Sequence, residues 1–417
     1  MRIAIIGTGI AGLTCAHLLS QRHDVTVFER DSRPGGHSNT VRVELGAESH
    51  DVDTGFIVYN ERNYPGLVRL FDRLRVPTKP SDMSFSVSDP ATGIEWRATS
   101  PNTAFAQRRN ALRPAFLRML ADIVRFNQRT RRLLREDGLG GLTLRELAGE
   151  GRWSSRLVEW YLAPIVSAIW SAPVEDALDI PAATFARFFD NHGLLRLGDQ
   201  PSWRTVEGGA RVYVDRVVAP LGRRVRLATP VAKVTRHHDG VELLTERDGP
   251  LHFDHVVLAT HSDESLALLG DATPAERSVL GAIRYQPNTA VLHTDERLLP
   301  RCRRAWASWN YRLERADARP GGGTVTYHMN RLQSIDSRHQ LCVTLNPITP
   351  IDDRAVLGTF EYAHPVLDSG AVAAQQRHDE ISGVRSTSYC GAYWGYGFHE
   401  DGVQSALKVC RALGVDW

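Results

Sequence analysis

The apolar positions of the first thirty residues form two short runs with one helical stretch between them. Ile3-Ala4-Ile5-Ile6 is apolar without alternation, the pattern of a strand covered on both faces. Leu13 to Ser20 carries a helical pattern. Asp24-Val25-Thr26-Val27-Phe28 reads as a second strand and ends at Glu29. The turn between first strand and helix is Gly7-Thr8-Gly9-Ile10-Ala11-Gly12, a G-x-G-x-x-G. Strand, glycine turn, helix, strand and acid in this order predict a βαβ unit that holds a dinucleotide. Gly7 permits the tight turn, Gly9 lets the backbone approach a pyrophosphate, and Gly12 lets helix pack on strand. Ile10 and Ala11 open the helix, whose N-terminal N–H groups and dipole suit phosphates. Glu29, with Arg30 beside it, stands where it can accept both hydroxyls of an adenosine ribose.

Beyond residue 80 the pattern changes, and segment 81–204 reads helical as a whole. From Ala104 to Arg135, Leu112, Phe116, Leu117, Leu120, Val124 and Leu133 recur at three and four, which predicts an arginine-rich helix. Further helices are expected over Gly209–Leu221 and near Pro274–Ala282. Strand-like runs fall at Thr289–His293, Thr324–His328, Leu341–Leu345 and Val356–Tyr362. These shifts predict two interleaved domains, which 417 residues suit. Residues 1–80, 205–270 and 385–417 would form a discontinuous dinucleotide-binding domain, and 81–204 with 271–384 a substrate domain. The expected class is α/β, with a Rossmann-like cofactor domain and an interleaved α+β insert.

Composition narrows the function. A net charge of +2 gives no global reason to bind nucleic acid. The cations are nearly all arginine; the lysines are Lys79, Lys233 and Lys408. Five cysteines without C-x-x-C or metal-finger spacing fit a reduced, cytoplasmic protein. No apolar run is long enough to span a bilayer, and a core strand from residue 2 leaves no place for a signal peptide. His50-Asp51-Val52-Asp53 and His252-Phe253-Asp254-His255 split their side chains over two strand faces, so no metal site is expected. The arginine helix keeps two readings. It is the solvated face of a cap, or it makes a peripheral contact with anionic lipid, Phe116 and Leu117 dipping in.

After Glu29 comes Arg30-Asp31-Ser32-Arg33-Pro34-Gly35-Gly36-His37, which resembles the R-x-G-G-[RH] extension of the flavin amine oxidase and phytoene desaturase superfamily. Gly35-Gly36 offers a second close backbone approach to the pyrophosphate. In that resemblance Asp51 to Phe56 is the strand that brings Thr54, Gly55 and Phe56 under the flavin, with His37 nearby. Thr229-Pro230-Val231 is similar to the adenine-binding strand, with Val231 on the adenine edge. His255 to Thr260 resembles the strand that closes the cofactor domain. Cys390-Gly391 through Gly402-Val403 resembles the last strand and helix. Asp401, Gly402 and Val403 would then turn the helix N-terminus toward the flavin N1/C2=O edge. The stretches 35–40, 53–60, 83–88, 305–311 and 395–402 look like a bacterial subfamily of FAD-dependent oxidoreductases. Its members often lie beside cyclopropane-fatty-acid-synthase-like methyltransferases. The resemblance implies a glutathione-reductase-type, amine-oxidase-like fold, FAD as cofactor, and a hydrophobic, acyl-lipid-like substrate. Gly321-Gly322-Gly323 does not end a strand, so no nicotinamide domain is expected.

The resemblance also places candidates for chemistry in Trp394 to Gly402. Phe398 would face the flavin with Tyr396 beside it, and His399 would serve as general acid or base. Glu400 stands next to it, either in the proton path or, with Asp401, capping the helix. Tyr59-Asn60, Trp306, Trp309-Asn310-Tyr311 and Tyr327-His328-Met329-Asn330 are candidate pocket residues. Two departures weigh against ordinary amine oxidation. Pro287 to Pro300 lacks the lysine common there in amine oxidases, His293 being its only imidazole. Ala392-Tyr393 replaces the acidic residue expected after Gly391. The expected function is FAD-dependent removal of hydride from a hydrophobic substrate, an external acceptor such as oxygen reoxidising the flavin. The alternatives are a redox-neutral isomerase or mutase, amine oxidation with altered proton handling, and a non-catalytic FAD-binding partner protein. Oligomeric state stays open.

Overall fold

A computed structural model describes residues 1–171, 173–196, 198, 200–314 and 322–417. A five-stranded parallel sheet runs in the order Val225–Arg226, Asp24–Phe28, Arg2–Ile6, His255–Leu258, Thr387–Tyr389. Strand alternation divides its first strand between two cores. Ile3 and Ile5 pack with the helices Ile10–Leu19, Arg211–Leu221 and His399–Ala412. Ala4 and Ile6 pack against Val234, Leu243 and Phe253 of an antiparallel sheet formed by Val231–His237, Gly240–Thr245 and Gly249–Phe253. Burial on both faces explains the unbroken apolar run at Ile3–Ile6.

The second large sheet has seven strands, in the order Val356–Pro365, Tyr285–His293, Cys342–Leu345, Gly323–His328, Trp309–Leu313, Phe85–Asp89, Ile94–Arg97. Its neighbours are antiparallel except Trp309–Leu313 and Phe85–Asp89. A helical cap that includes Pro114–Arg135, Ala163–Trp170 and Ala182–Asn191 shares its core, through Phe116, Met119, Phe126, Phe185 and Phe189.

Two local expectations change. The helix expected over 104–135 is broken into Pro101–Ala104, a 3-10 turn Arg108–Leu112, and Pro114–Arg135. Arg113 is extended (φ −102°, ψ 105°) because the Pro114 ring disfavours the helical conformation in the residue before it. Proline then opens the last helix, where its missing N–H costs nothing. Segment 81–204 is not wholly helical either. Phe85-Ser86-Val87-Ser88-Asp89 alternates with period two and lies buried inside the sheet, where Ser86 gives its hydroxyl to Asn310 Oδ1 at 2.9 Å. Gly321 of the third glycine run lies outside the described residues. Among the described residues no helix is long and apolar enough to cross a membrane.

Candidate functional site

The helix Ile10–Leu19 begins at Gly9, which supplies no side-chain cap, so the first-turn N–H groups stay open. A Cβ on Gly12 would lie 2.0 Å from the Gly7 carbonyl oxygen, whereas a Cβ on Gly9 would meet nothing within 4 Å. Packing therefore demands Gly12, while Gly9 opens onto free space beside a helix N-terminus. Gly36, at φ +55°, closes the opposite side, and a Cβ there would sit 3.3 Å from Gly9 Cα. Glu29 ties the two glycine turns together. Its carboxylate accepts the Thr8 N–H and the Asp31 N–H, each at 3.0 Å, and the Thr8 hydroxyl. That hydroxyl in turn accepts the Gly35 N–H at 3.1 Å.

From this cradle a cavity of about 1860 Å³ extends between the two large sheets into the helical cap. Typical small-molecule pockets hold roughly 300–1,000 Å³, so this one has room for a dinucleotide and a second molecule. Its inner part is apolar and aromatic, with Phe85, Trp96, Tyr161, Ile165, Trp309 and Tyr327 on its walls. The exposed residues Ser100, Pro101 and Gln128 also line it, so it reaches the surface beside the arginine helix. None of the three lysines lines it.

Several imidazoles meet where cradle and pocket join. The His37 ring is 4.9 Å from Tyr362, 5.3 Å from His364 and 5.9 Å from His261. Burial and then the neighbouring imidazoles hold His37 well below the ordinary histidine range. His364 ends a hydrogen-bond chain that begins at the backbone. The Thr289 N–H donates to Asn346 Oδ1 (2.8 Å), Asn346 Nδ2 to Asn288 Oδ1 (2.7 Å), and Asn288 Nδ2 to His364 Nδ1 (3.0 Å). Each amide orientation follows from the one before, so Nδ1 is the acceptor and Nε2 carries the proton. Burial lowers His364 to about 4 and keeps it neutral. His399 differs. Its ring stacks on Phe56 and its Nε2 lies 3.0 Å from Ser38 Oγ and 3.3 Å from Tyr213 Oη. Burial alone takes it down to about 3.

A family model described as flavin containing amine oxidoreductase matches residues 10–304. The chain belongs to that family. It is also 28% identical over 263 residues to the "Putative flavin-containing monoamine oxidase AofH" of Mycobacterium tuberculosis, over 59% of this chain and 54% of that protein. The chain thus spans about half the length of the curated relatives it matches first. Among solved structures, a fatty acid isomerase of P. acnes that produces CLA superimposes with a TM-score of 0.69 at 17% identity, covering 98% of each chain. Cyclohexylamine oxidase from Brevibacterium oxydans gives 0.68 at 16% identity, over 99% of this chain and 98% of that one. At these identities the likeness is one of fold.

The cradle fits the FAD of a flavin containing amine oxidoreductase. Gly9 leaves space where a pyrophosphate needs it, and the uncapped helix end supplies donors. Gly7, Gly9, Ile10, Ala11, Glu29, Arg30, Gly35, Gly36, His37, Thr54, Gly55, Phe56, Val231 and Gly391 all line the cavity. Gly12, Asp401, Gly402 and Val403 lie behind that lining. A Cβ on Gly402 would press to 2.7 Å from Ile10 Cγ2, so this glycine lets the last helix close on the first. Asp401 caps its own helix by accepting the Phe398 N–H at 2.9 Å, and burial raises it to about 6. Glu400 serves another helix: it accepts the Gly66 and Leu67 N–H groups, both at 2.9 Å, at the start of Pro65–Leu74.

The remaining candidates separate cleanly. Tyr396, Phe398 and His399 line the cavity, as do Trp309 and Tyr327, whose rings meet edge to face at 5.0 Å. Tyr59, Asn60, Trp306, Asn310, Tyr311, His328, Met329 and Asn330 do not. Asn310, for example, spends its amide on Ala307 and Thr326 carbonyls. His293 is fully buried against Thr344, away from the cavity lining. Among the described residues no group of three or more metal ligands occurs. His364, Tyr362 and Asn288 were not anticipated from sequence. The signal was the strand alternation Phe360, Tyr362, His364, which runs two residues past the strand end expected at Tyr362.

Proposed function

We propose that the protein is an FAD-dependent oxidoreductase, acting as oxidase, dehydrogenase or desaturase on a hydrophobic, acyl-chain-like small molecule. The observation that carries this reading is one continuous cavity joining the glycine cradle to an aromatic, lysine-free pocket. FAD held along Gly9, Gly36 and Glu29 would supply a two-electron acceptor for one substrate hydrogen taken as hydride, the substrate losing its other hydrogen as a single proton to solvent and an external acceptor such as oxygen later taking the two electrons.

The chain's own residues do the rest. Gly9, Gly36 and the first-turn N–H groups hold the phosphates, and Glu29 takes the ribose. Phe85, Trp96, Tyr161 and Trp309 desolvate an apolar chain and keep water from it. His364 offers Nε2–H as a neutral donor to a polar group of the substrate. His399, with both its face and its Nε2 engaged, acts as a positioning residue between Phe56 and Ser38. Arg131 and Arg196, both against Asp190, line the cavity on the cap side and suit an anionic head group. The reading includes peripheral contact with a lipid surface.

Anaerobic mixing of the holoenzyme with detergent-dispersed fatty acids and phospholipids tests this. Bleaching of the yellow flavin by an acyl compound, and not by amines, is the expected result. Bleaching by amines alone would replace it with amine oxidation. The fatty acid isomerase fold favours a second reading, redox-neutral double-bond migration. It requires no net bleaching, and turnover only after prior reduction of the flavin.

A further inference from the structure

We infer that the face built by Pro101–Ala104, Arg108–Leu112 and Pro114–Arg135 docks on an anionic lipid bilayer, with the cavity mouth opening into that bilayer. The inference rests on the acyl-chain reading for what enters the mouth; the surface itself rests on its own charge and exposure.

Charge is the first observation. Residues 101–135 contain nine arginines and one acid, in a chain whose net charge is only +2. The acid, Asp122, is buried and already shared by Arg118 and Arg125. Arg129 and Arg131 have partners in Glu150 and Asp190. Arg108, Arg109, Arg113 and Arg135 reach only carbonyl or amide oxygens. Among the described residues, neither these four nor Arg132 pairs with a carboxylate. Cations at this density, five of them without a carboxylate, suit an anionic partner.

The second observation is an apolar tip inside that block. Ala111, Leu112, Pro114, Ala115 and Leu117 are all exposed, Leu112 by 86% and Leu117 by 43%. The cause is local. Pro114 forces the turn at Arg113, and the turn lifts Leu112 and Leu117 off the core while Phe116 takes the buried position. Phe116 therefore does not reach solvent, contrary to the sequence expectation, and the apolar contact falls to Leu112 and Leu117. Arginines on both sides of exposed leucines match a bilayer interface, with charges at the phosphates and apolar side chains below them. An acidic protein surface would match the charge but would leave the apolar tip in water.

The third observation links the tip to the site. Along Pro114–Arg135, Leu120, Ile123, Val124, Asn127, Gln128 and Arg131 line the cavity. Leu117, Val124 and Gln128 mark the adjoining exposed stripe. Val124 and Gln128 belong to both. A chain leaving the bilayer beside Leu117 would thus pass Val124 directly into the pocket, without crossing water.

Vesicle flotation of the full-length holoenzyme tests this. The vesicles are pure phosphatidylcholine, or equimolar phosphatidylcholine and phosphatidylglycerol. Binding to the mixed vesicles, weakened by salt, with little binding to pure phosphatidylcholine, is expected. Leu112→Ser with Leu117→Ser should weaken it at least about tenfold. Arg108→Gln with Arg109→Gln and Arg132→Gln should remove the preference for the anionic lipid. None of these five positions lines the cavity, so flavin content and reduction by detergent-dispersed substrate should stay at wild-type level. Wild-type protein that fails to float with the mixed vesicles, or leucine variants that float as well as wild type, would overturn the inference. So would capture of the arginine face by an acidic protein with no affinity for vesicles. If the protein floats and no acyl compound bleaches it, the docking surface stands and the substrate reading falls.

Discussion

The His399 imidazole lies flat on the Phe56 ring, with centroids 3.7 Å apart and planes 16° from parallel. Phe56 belongs to the segment that follows the second glycine turn, and His399 opens the last helix. The stack therefore joins the two chain segments that approach the cofactor cradle from opposite ends of the sequence. His399→Ala would leave a cavity under Phe56 and strip a partner from Ser38, which costs about 3 kcal/mol by analogy with aromatic deletions. We expect a clear drop in Tm and faster loss of FAD on dilution. His399→Phe keeps the stack and should recover most of the stability. If His399→Phe restores FAD retention and substrate-driven bleaching together, proton transfer at this imidazole is excluded.

Gly9 and Gly12 should separate ligand binding from folding. A methyl at Gly9 meets no protein atom, and the residue sits at φ −62°, where alanine is unstrained. Gly9→Ala should therefore fold with the Tm of the apo wild type and bind FAD at least about tenfold more weakly, because the methyl fills the space a phosphate needs. Gly12→Ala drives a methyl to 2.0 Å from the Gly7 carbonyl oxygen. It should lower soluble yield and Tm before any flavin is offered. Measuring Tm and FAD affinity for both variants checks the assignment. Unchanged affinity in Gly9→Ala would remove the cradle from the phosphate path.

Much of this cradle was legible because its requirements are local. Turn, helix start and terminal acid follow each other within Gly7 to Glu29, and each has a residue type that only its backbone position explains. The pocket was harder to read. His364 acquires its tautomer from Asn288 on a neighbouring strand and from Asn346 in the bend that follows Cys342–Leu345, and no spacing in sequence records that chain of amides. Glu400 was expected in the proton path or as a cap of its own helix, and instead caps Pro65–Leu74, a partner 333 residues away at Leu67. The same holds for Phe116 and Leu117. Their periodicity announced a helix, but Pro114 sets the rotation that buries one and exposes the other.

The amide chain to His364 makes a sharp test. Asn288→Asp would replace the donor on His364 Nδ1 by a carboxylate acceptor. The imidazole must then hold a proton on Nδ1, and the buried negative charge favours the doubly protonated ring. We expect its pKa to rise from about 4 by at least about one unit. Histidine NMR on the apo and FAD-bound proteins reads the pKa and the tautomer directly. Asn288→Leu should leave His364 neutral but free to flip. If the tautomer is unchanged in both variants, the amide chain does not set it.

Acid should destabilise the protein well above the pH at which ordinary carboxylates protonate. Burial lowers His255, His293, His328 and His364 to about 4, and His399 to about 3. Once unfolded, each returns to about 6.5. Between those values the unfolded chain binds protons that the fold refuses, so stability is lost as pH falls from about 6.5 toward 4. Three carboxyls act in the opposite sense. Burial raises Asp53 to about 7, Asp401 to about 6 and Glu400 above its ordinary value, so the fold holds their protons where the unfolded chain releases them. Five imidazoles outweigh three carboxyls, and unfolding near pH 5 takes up protons on balance. Tm of the holoenzyme should therefore fall continuously between pH 6.5 and 4.5. His293 is the cleanest probe, because it bonds Thr344 at 2.7 Å outside the cavity. His293→Gln cannot charge, so its Tm should fall less steeply over this range. A wild-type Tm that stays level or rises down to pH 4.5 would show that these imidazoles charge without opening the fold.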